Sequence, residues 1–516
     1  RVYYEKLKLD KFKIPYCETD IFSDLMLDYI NQDDKIKPFI NHFPNIDNFS
    51  RQIEEKKHHN IDRISLVNVL LKQNASLNLS DCSQSNINKL KSNKSFTITT
   101  GHQLCLFMGP LFVIYKIISA INLANQLKKK YNKYEFVPVF WMASEDHDLQ
   151  EINHINYFGK KITWNTNQTG AVGRMSLDGV ESMIEEYFDL IGESFDRVYL
   201  ERLFKESYLN NNTLVEATRF LVNQLFGKYG IVIIDGDDKE LKSNFIPIIK
   251  KDILDSAFSN EIRLCSENLE NHYNSQAFVR DINFFKLSKG KRELITKKLA
   301  EKDIINFPEN LSPNVLLRPL YQECVLPNIG VIGGGSELAY WMQLRTVFKK
   351  EKIPFPILIL RNSIMLVAKR KLNAFKDLGF QIANIFEEPH FLEKKLVLSK
   401  GDITFHDEKD ALKLMYETLI NKTSDKGLHQ SILGQLKKNL NYLDSLEKKI
   451  IRLAKKDHET SINKIRKLKE ELFPENTLQE RYCNFIPFTL KGNEQFIKTL
   501  IDNINPLDAN FVVLSY

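Results

Sequence analysis

Short apolar runs alternate with longer amphipathic stretches through most of this chain. Four β-branched or apolar runs predict buried strands, namely SFTITT, EFVPVFWMA, GIVIIDGDD and FPILILRNS. Residues 111–130 show helical periodicity and end in three lysines, which suit a helix C-terminus. Strands that alternate with helices indicate an α/β fold with a mostly parallel sheet.

The pattern changes in the C-terminal part of the chain. Residues 435–473 contain no Gly or Pro, and their Leu and Ile residues recur every three or four positions. This spacing predicts one helix of about 60 Å, long enough for an antiparallel or dimeric coiled coil. The closing run FVVLSY predicts a strand that returns to the core.

These patterns divide the chain into three predicted parts. Residues 1–385 form the α/β core, with polar insertions at about 156–212 and 254–311. Residues 386–475 form a helical coiled-coil domain. Residues 476–516 are a C-terminal segment that returns to the core.

Composition narrows the class of protein. A hydrophobic content of 43% with 27% charge is typical of a soluble globular chain. Residues 435–473 hold 11 Lys and Arg against 6 Asp and Glu, a surplus of 5 out of the net +6. The remainder is nearly neutral, which argues against nucleic-acid binding.

Cysteine usage and the apolar segments indicate where the protein works. Six scattered cysteines without pairing pattern indicate free thiols in a reducing cytoplasm. The N-terminal residues lack the apolar core of a signal peptide. The most apolar stretch, residues 104–123, is interrupted by Gly109-Pro110 and carries Lys116, so we expect no membrane span.

The first candidate motif follows the strand SFTITT. Thr100, Gly101, His102 and Gln103 stand at the predicted carboxyl edge of the sheet, where open α/β sheets bind ligands. Gly109-Pro110 then begins the next helix, whose N-terminus favours anions. The motif predicts an anion site, and the alternative is a tight turn before a capped helix.

The second motif follows the next strand. Glu145, Asp146, His147 and Asp148 form a dense titratable cluster that can take a proton from an amine or bind an ammonium group or Mg²⁺. The alternative is an N-cap cluster. We expect this block and His102 to open into one crevice.

The third motif is Gly333-Gly334-Gly335-Ser336, a Gly-rich turn before a helix that can hold a phosphate or carboxylate. Arg318 is a possible anion partner, or else one half of a buried ion pair. KLSKGK, residues 286–291, has the lettering of the lysine loop of class I aminoacyl-tRNA synthetases. Its neighbours predict instead two short strands joined by a turn.

The motifs in combination resemble the BshC family of bacillithiol biosynthesis. The resemblance lies in TTGHQLCLFMGPLFVIYKIISAINLA, VPVFWMASEDHDLQEINH, LLRPLYQECVLPNIGVIGGGSELAYWMQL and PENTLQERYCNF. It implies a Rossmann-like core with connecting insertions, and a coiled-coil domain that mediates homodimerisation. It also implies ligation of cysteine to glucosaminyl-malate, with Lys116 among the matched positions. The family lacks a lysine loop, which leaves an adenylation step open.

The working hypothesis is amide formation assisted by ATP, with Mg²⁺ as the accompanying ion and no resident metal. His147, tuned by Asp146 and Asp148, is the predicted base, and Glu145 holds an ammonium group or Mg²⁺. Arg318 and residues 333–336 hold the malate carboxylates. Two other classes stay open: a metal-dependent hydrolase using His102, His147, Asp148 and His154, and a non-catalytic ligand-binding scaffold. Neither ATP use nor the position of the nucleotide follows from the sequence.

Overall fold

The structure, a computed structural model, describes residues 9–157, 159–193, 196–401, 404–489 and 492–516. Each of the three predicted parts therefore includes a few residues outside the described ranges.

The strands of the described residues are β1 (Asp10–Pro15), β2 (Ser95–His102), β3 (Glu135–Met142), β4 (His154–Tyr157), β5 (Lys160–Thr163), β6 (Val232–Asp235), β7 (Phe284–Ser288), β8 (Lys291–Leu294), β9 (Leu311–Pro313), β10 (Asn328–Gly333), β11 (Ile357–Leu360), β12 (Ile364–Val367) and β13 (Asn510–Ser515).

The helices up to residue 270 are α1 (Asp24–Ile30), α2 (Phe49–Lys57), α3 (Arg63–Gln73), α4 (Asp81–Lys89), α5 (Leu111–Lys130), α6 (Leu149–Ile152), α7 (Val180–Ile191), α8 (Arg197–Leu209), α9 (Leu214–Phe226), α10 (Lys239–Ser243), α11 (Ile246–Asp255) and α12 (Ser259–Glu270). The later ones are α13 (Glu301–Asn306), α14 (Arg318–Val325), α15 (Gly335–Met342), α16 (Arg345–Lys350), α17 (Lys369–Asp377), α18 (Pro389–Leu398), α19 (His406–Ile420), α20 (Lys426–Asp457), α21 (Glu459–Leu472), α22 (Gln479–Tyr482) and α23 (Asn493–Asn503).

A five-stranded parallel sheet forms the centre of the core, in the order β11-β10-β2-β3-β6. Its strands are almost wholly buried, as their unbroken apolar runs predict. The chain proceeds outward from β2 to β3 and β6, and then continues on the other side with β10 and β11. The order therefore reverses between β2 and β10, where such sheets bind ligands. The predicted α/β fold is confirmed.

Helix α5 is the crossover between β2 and β3, and its bounds match the predicted 111–130. It buries most of its length against both strands, and this is why apolar residues occupy nearly every position of its first three turns. Since β2 and β3 are parallel neighbours, residues after each strand emerge at the same edge of the sheet.

Two insertions carry small antiparallel sheets. The first contains the hairpin β4-β5 and helices α7 and α8, and the second contains the sheet β8-β7-β9. KLSKGK lies within the hairpin β7-β8, so the prediction of two short strands is confirmed. Gly290, at φ +70°, supplies the left-handed conformation of its turn.

A second sheet, β1-β13-β12, joins distant parts of the chain. β1 pairs antiparallel with β13, and β12 pairs parallel with it. Helices α22 and α23 pack on α5, where the Asn122 amide donates to the carbonyls of Ile501 and Ile504 at 2.8 and 2.7 Å. The C-terminal segment thus covers one side of α5.

The long C-terminal helix is two helices, α20 and α21, so the prediction of one unbroken helix over 435–473 is wrong. The break falls at His458, whose φ and ψ are −110° and 18°. It lies in the polar gap at residues 455–461, where the apolar spacing lapses and no core contact requires the helix to continue. α19 packs antiparallel on α20, since Lys409 pairs with Asp444 at 2.7 Å while Tyr416 accepts from Asn439 at 2.7 Å.

None of the helices in the described ranges combines the length and the apolar character needed to cross a membrane.

Candidate functional site

The carboxyl edge of the sheet brings the first two motifs together. The Ala143 amide donates to the His102 carbonyl at 2.9 Å. The Gln103 side-chain amide then donates to Asp146 and to Glu151, each at 2.7 Å. The expected proximity of His102 to the Glu145–Asp148 block is therefore present, and Gln103 is the side chain that links them.

Asp146 is held in its ionised form. Burial raises the pKa of its carboxyl, but hydrogen bonds from Gln103 and from the His147 amide, together with the charge of Arg292, outweigh burial and lower it. The neighbouring Asp148 accepts from the Glu151 amide at 3.3 Å and caps the short α6. The N-cap of α6 is therefore Asp148, and not Ser144 or Asp146 as the N-cap alternative supposed, while Asp146 accepts from Gln103.

His147 is half exposed, at 50%, and contacts Arg292 of the hairpin β7-β8. Arg292 Nη1 lies 3.0 Å from His147 Nδ1, and Asp146 Oδ1 lies 3.6 Å from the same nitrogen. A guanidinium only donates, so Nδ1 accepts and the ring proton is on Nε2. In this arrangement the imidazole has no free lone pair, so the predicted base role requires the Arg292 contact to break.

Glu145 does hold an ammonium group, but that of Lys242. Their charged atoms lie 2.6 Å apart, with side chains exposed by 13% and 1%. Burial raises the pKa of Glu145, and Lys242 opposes the rise. Lys242 also pairs with Asp237 at 2.9 Å, and Asp237 forms a bidentate pair with Arg174. The partner of Glu145 in this structure belongs to the chain itself, and its binding of a substrate ammonium or Mg²⁺ stays a prediction.

Asp235 and Asp237, at the end of β6, also belong to this site, and the sequence did not predict this. Asp235 accepts from the Ser144 hydroxyl and from the Asp237 amide at 3.0 Å, which ties the end of β6 to the loop after β3. The signal was present in GIVIIDGDD, where a buried strand ends in three carboxylates. What the sequence did not indicate is that β6 lies beside β3.

His102 stands half-buried, with its ring edge-on to Phe112 at 5.0 Å and Nε2 3.7 Å from the Cys105 sulfur. Burial and the charge of Lys116 lower the pKa of His102 to about 3, so the ring is neutral. Burial raises the pKa of Cys105 to about 12, which keeps this thiol protonated.

Lys116 joins β2 to the Gly-rich turn. Its ammonium donates to the Gly101 carbonyl at 2.5 Å and to Glu337 at 2.7 Å, and Glu337 accepts from the Gly334 amide at 2.8 Å. Burial lowers the pKa of Lys116, and Glu337 opposes this. Glu337 thus accepts from both Lys116 and the Gly334 amide, and the anion-binding roles of these two groups stay predictions.

Thr100 and the start of α5 are also engaged within the fold. The Thr100 hydroxyl donates to the Ile332 carbonyl at 3.0 Å, across β2 and β10. Gly109 has φ +59°, and a Cβ there would lie 2.6 Å from that of Cys105, so only glycine fits. After Pro110, the Leu111 amide donates to the Cys483 carbonyl at 2.9 Å. The first amide of α5 therefore does not offer an anion site.

Arg318 borders the end of β2 without an acidic partner among the described residues. Its Nη1 donates to Gln322 at 3.0 Å, and a Cβ on Gly101 would lie 3.8 Å from the same nitrogen. The buried ion pair that was the alternative for Arg318 is not observed. Its guanidinium keeps donors for a ligand at the switch point.

A cavity of about 650 Å³ lies beyond the Gly-rich turn. Gly334, Gly335 and Ser336 line one side, and Arg361 and Arg481 contribute cations. Arg361 pairs with Glu480 at 2.7 Å, whereas the Arg481 guanidinium has no hydrogen bond or ion pair with the described residues. This cavity lies at the ends of β10 and β11, across the switch point from the Glu145–Asp148 block.

The four residues proposed for a metal hydrolase do not form a ligand set. Within the described ranges, no group of three or more His, Cys, Asp and Glu side chains is placed to hold a metal ion. His154 lies on β4, with Nδ1 3.4 Å from the Asn153 side-chain oxygen.

Comparison with known families settles the relationship of the chain. A family model described as "Bacillithiol biosynthesis BshC, N-terminal Rossmann-like domain" matches residues 9–362, and one described as its "C-terminal coiled-coil domain" matches residues 364–516. This chain belongs to the BshC family. The resemblance and the Rossmann-like and coiled-coil fold classes predicted from the sequence are confirmed.

The BshC domain models divide the chain just before β12. The sequence placed the change at 385/386, whereas β12 (Ile364–Val367) already belongs to the sheet that β13 completes.

BshC relatives match nearly the whole length of the chain. The protein described as "Putative cysteine ligase BshC" from Flavobacterium psychrophilum is 40% identical over 531 residues, which is 98% of this chain and 99% of the relative. Its counterpart in Cytophaga hutchinsonii is 34% identical and covers 98% of both chains. The Bacillus cereus protein is 26% identical over 93% of this chain and 95% of its own length.

Proposed function

We propose that this protein is a cysteine ligase that forms an amide between the cysteine carboxyl group and the amine of glucosaminyl-malate, the last step of bacillithiol biosynthesis. The observation that carries the proposal is the likeness over 98% of the chain to proteins described as "Putative cysteine ligase BshC". The geometry agrees with it, because the polar motifs share one edge of the sheet.

Amide formation needs an activated carboxyl group and an unprotonated amine. ATP is the proposed activator, and Mg²⁺ is usually held by phosphates together with one or two carboxylates. Glu145 and Asp146 already have partners. Asp148, exposed and with one oxygen without a partner among the described residues, is the carboxylate of the block available to such an ion.

The cavity is the proposed place for the malate group. Two carboxylates require cationic or N–H donors, and Arg481 offers an unpaired guanidinium beside Arg361 and Ser336. In the sequence hypothesis this role belonged to Arg318. Arg318 lies beside Gly101 at the end of β2, and we assign it to the activated carboxyl group.

The decisive assay combines purified protein, cysteine, glucosaminyl-malate and ATP with Mg²⁺, and follows bacillithiol by mass spectrometry. Product that forms only with all components supports the proposal, and release of AMP or ADP identifies the type of activation. Absence of bacillithiol with intact substrates contradicts it.

Arg481→Met tests the place of the malate group. Loss of one charged hydrogen bond to a carboxylate raises the KM for glucosaminyl-malate by roughly 10-fold or more and leaves the KM for cysteine unchanged. Arg370→Met, an exposed arginine on α17, is the matched control. Equal KM values in both variants contradict the assignment.

We further propose that the protein works as a homodimer through its helical domain. Leu428, Tyr442 and Leu453 are exposed by 49%, 65% and 62% on α20. At 100° per residue they lie within about 40° of one another around the helix. Such a stripe of large apolar side chains is typical of a surface that a second helix covers.

A further inference from the structure

Arg292 stands out because the fold fixes every nitrogen of its guanidinium. Nε donates to the Ser312 hydroxyl at 3.3 Å, Nη2 donates to the Pro313 carbonyl at 3.2 Å, and Nη1 donates to His147 Nδ1 at 3.0 Å. The guanidinium also stacks on the Phe285 ring, 4.0 Å from its centroid. Four contacts therefore define its plane as well as its position.

The hairpin that carries Arg292 is anchored by the other insertion. The Thr169 hydroxyl donates to the Gly290 carbonyl at 2.7 Å. Gly170 approaches the same turn so closely that a Cβ there would lie 2.7 Å from the Gly290 carbonyl carbon. Gly170 also has φ +93°, which disfavours any other residue. Both insertions thus serve to hold Arg292 over the edge of the sheet.

Nearby carboxylates keep Arg292 charged. Burial lowers the pKa of its guanidinium, and the negative charges of Glu145 and Asp146 raise it. The pair of Glu145 with Lys242 and the bond of Asp146 with Gln103 leave these carboxylates only partly neutralised. A cationic donor consequently faces His147 Nδ1, and this donor has no lone pair with which to accept a proton from the ring.

We propose that Arg292 is a positioning residue that fixes His147 as a neutral imidazole with its proton on Nε2. His147 then presents an N–H donor, and not a base, to an anionic oxygen at the mouth of the site. The tautomer follows from the shorter of the two contacts at Nδ1, which is 3.0 Å to Arg292 against 3.6 Å to Asp146, whereas the catalytic consequence rests on the proposed ligase function. Oxygen charge that develops during acyl transfer is the natural acceptor for such a donor.

The test uses the full-length protein labelled with ¹⁵N-histidine, whose imidazole nitrogens report the tautomer by NMR. The signals of His147 are identified by their absence in His147→Gln. We expect a proton on Nε2 and an unprotonated Nδ1 in the wild-type protein. A proton on Nδ1 in the wild-type protein overturns the inference without any variant of Arg292.

Arg292→Met removes the donor while it keeps an apolar side chain over Phe285. We expect a mixture of both tautomers at His147 and a fall in ligase kcat on the order of 10²-fold. Arg292→Lys retains the charge but not the planar fork, and its kcat is intermediate. Lys291→Gln, exposed on the same hairpin, keeps the wild-type tautomer and rate. An unchanged tautomer in Arg292→Met overturns the inference.

The two proposals fail separately. If the wild-type protein forms no bacillithiol but His147 has the expected tautomer that Arg292→Met disturbs, the ligase proposal fails and the role of Arg292 as a positioning residue stands. If bacillithiol forms at an undiminished rate in Arg292→Met, Arg292 has no bearing on the reaction and the catalytic part of the inference is overturned.

Discussion

Lys116 crosses from α5 to the edge of the sheet and there meets Glu337, so that one ion pair connects β2 to the start of α15. Lys116 is buried but the Glu337 side chain is 31% exposed, so Lys116→Met leaves a carboxylate without its main partner in a partly solvated place. We expect this variant to lose about 2 kcal/mol of unfolding free energy, because solvent offsets part of the cost of the unpaired charge. Urea unfolding followed by circular dichroism measures the loss.

Two further variants serve as controls for that measurement. Lys116→Met/Glu337→Gln is expected to be more stable than Lys116→Met, because no uncompensated carboxylate remains. Lys128 lies on the same helix as Lys116 and is an exposed partner of Glu135. The loss of unfolding free energy in Lys128→Met should stay below about 1 kcal/mol. Equal losses of unfolding free energy in Lys116→Met and Lys128→Met would show that the pair of Lys116 with Glu337 stabilises the fold no more than an exposed ion pair.

His102 gives the protein a specific sensitivity to acid. The folded state keeps this ring neutral until about pH 3, whereas an ordinary histidine takes a proton near pH 6.5. The unfolded state therefore binds more protons between these values, and stability falls as pH drops from 6.5 towards 3. Because the ring is only half-buried, we expect a contribution of about 1–2 kcal/mol at pH 5.

His102→Gln should flatten the dependence of the unfolding free energy on pH between 6.5 and 4. Chemical unfolding at each half unit of pH measures the slope. His58→Gln, which changes an exposed histidine, should keep the wild-type slope. A His102→Gln curve parallel to the wild type would contradict the assignment.

Residue types and their spacing predict that residues 145–148 form a cluster of titratable side chains, but not which partners these side chains have. Glu145 was expected to bind a ligand ion, and its carboxylate is instead taken by Lys242, 97 positions away. Arg292 and Asp237 are similarly distant in the sequence. The charge and tautomer of a side chain depend on such distant partners and on burial. The local sequence indicates neither the partners nor the burial.

The positions of strands and helices were more predictable than the interaction partners of individual side chains, because an unbroken apolar run is enough to indicate a buried strand. β2, β3, β6 and β11 and helix α5 all fall where the pattern predicts them. The interruption at His458 escaped prediction, since polar residues are compatible both with an exposed helix and with its end. The helices on both sides of the break, α20 and α21, pack against α18.

Glu393 on α18 spans that interruption. It pairs with Lys455 of α20 at 2.6 Å and with Arg466 of α21 at 2.7 Å. Glu393→Gln weakens both pairs, and we expect amide hydrogen exchange over residues 455–466 to rise roughly 5-fold, or about 1 kcal/mol of local stability. Mass spectrometry of exchanged peptides detects the change.

The matched control for that experiment is Glu417→Gln, an exposed carboxylate on α19. It should leave exchange over residues 455–466 unchanged. If Glu393→Gln also leaves hydrogen exchange over residues 455–466 unchanged, apolar packing alone holds α20 and α21 in their arrangement.

At the scale of the whole molecule, the exposed stripe on α20 predicts the state of association. Tyr442→Glu/Leu453→Glu places two charges on it, and we expect sedimentation velocity to show the mass of one 60.2 kDa chain where the wild-type protein shows two. Leu264→Glu, at an exposed leucine of α12, should remain associated like the wild type. A wild-type monomer at micromolar concentration would contradict the proposed homodimer.

The pairing of β1 with β13 has a consequence for how the protein is made. Asp10 pairs with Ser515, so about 500 residues separate the two strands. At 5–20 residues per second, a ribosome takes roughly half a minute to two minutes to supply the second strand after the first has emerged. Until β13 has been synthesised, the edge of β1 has no partner strand, and nascent chains of this protein should depend on chaperones that shield such an edge.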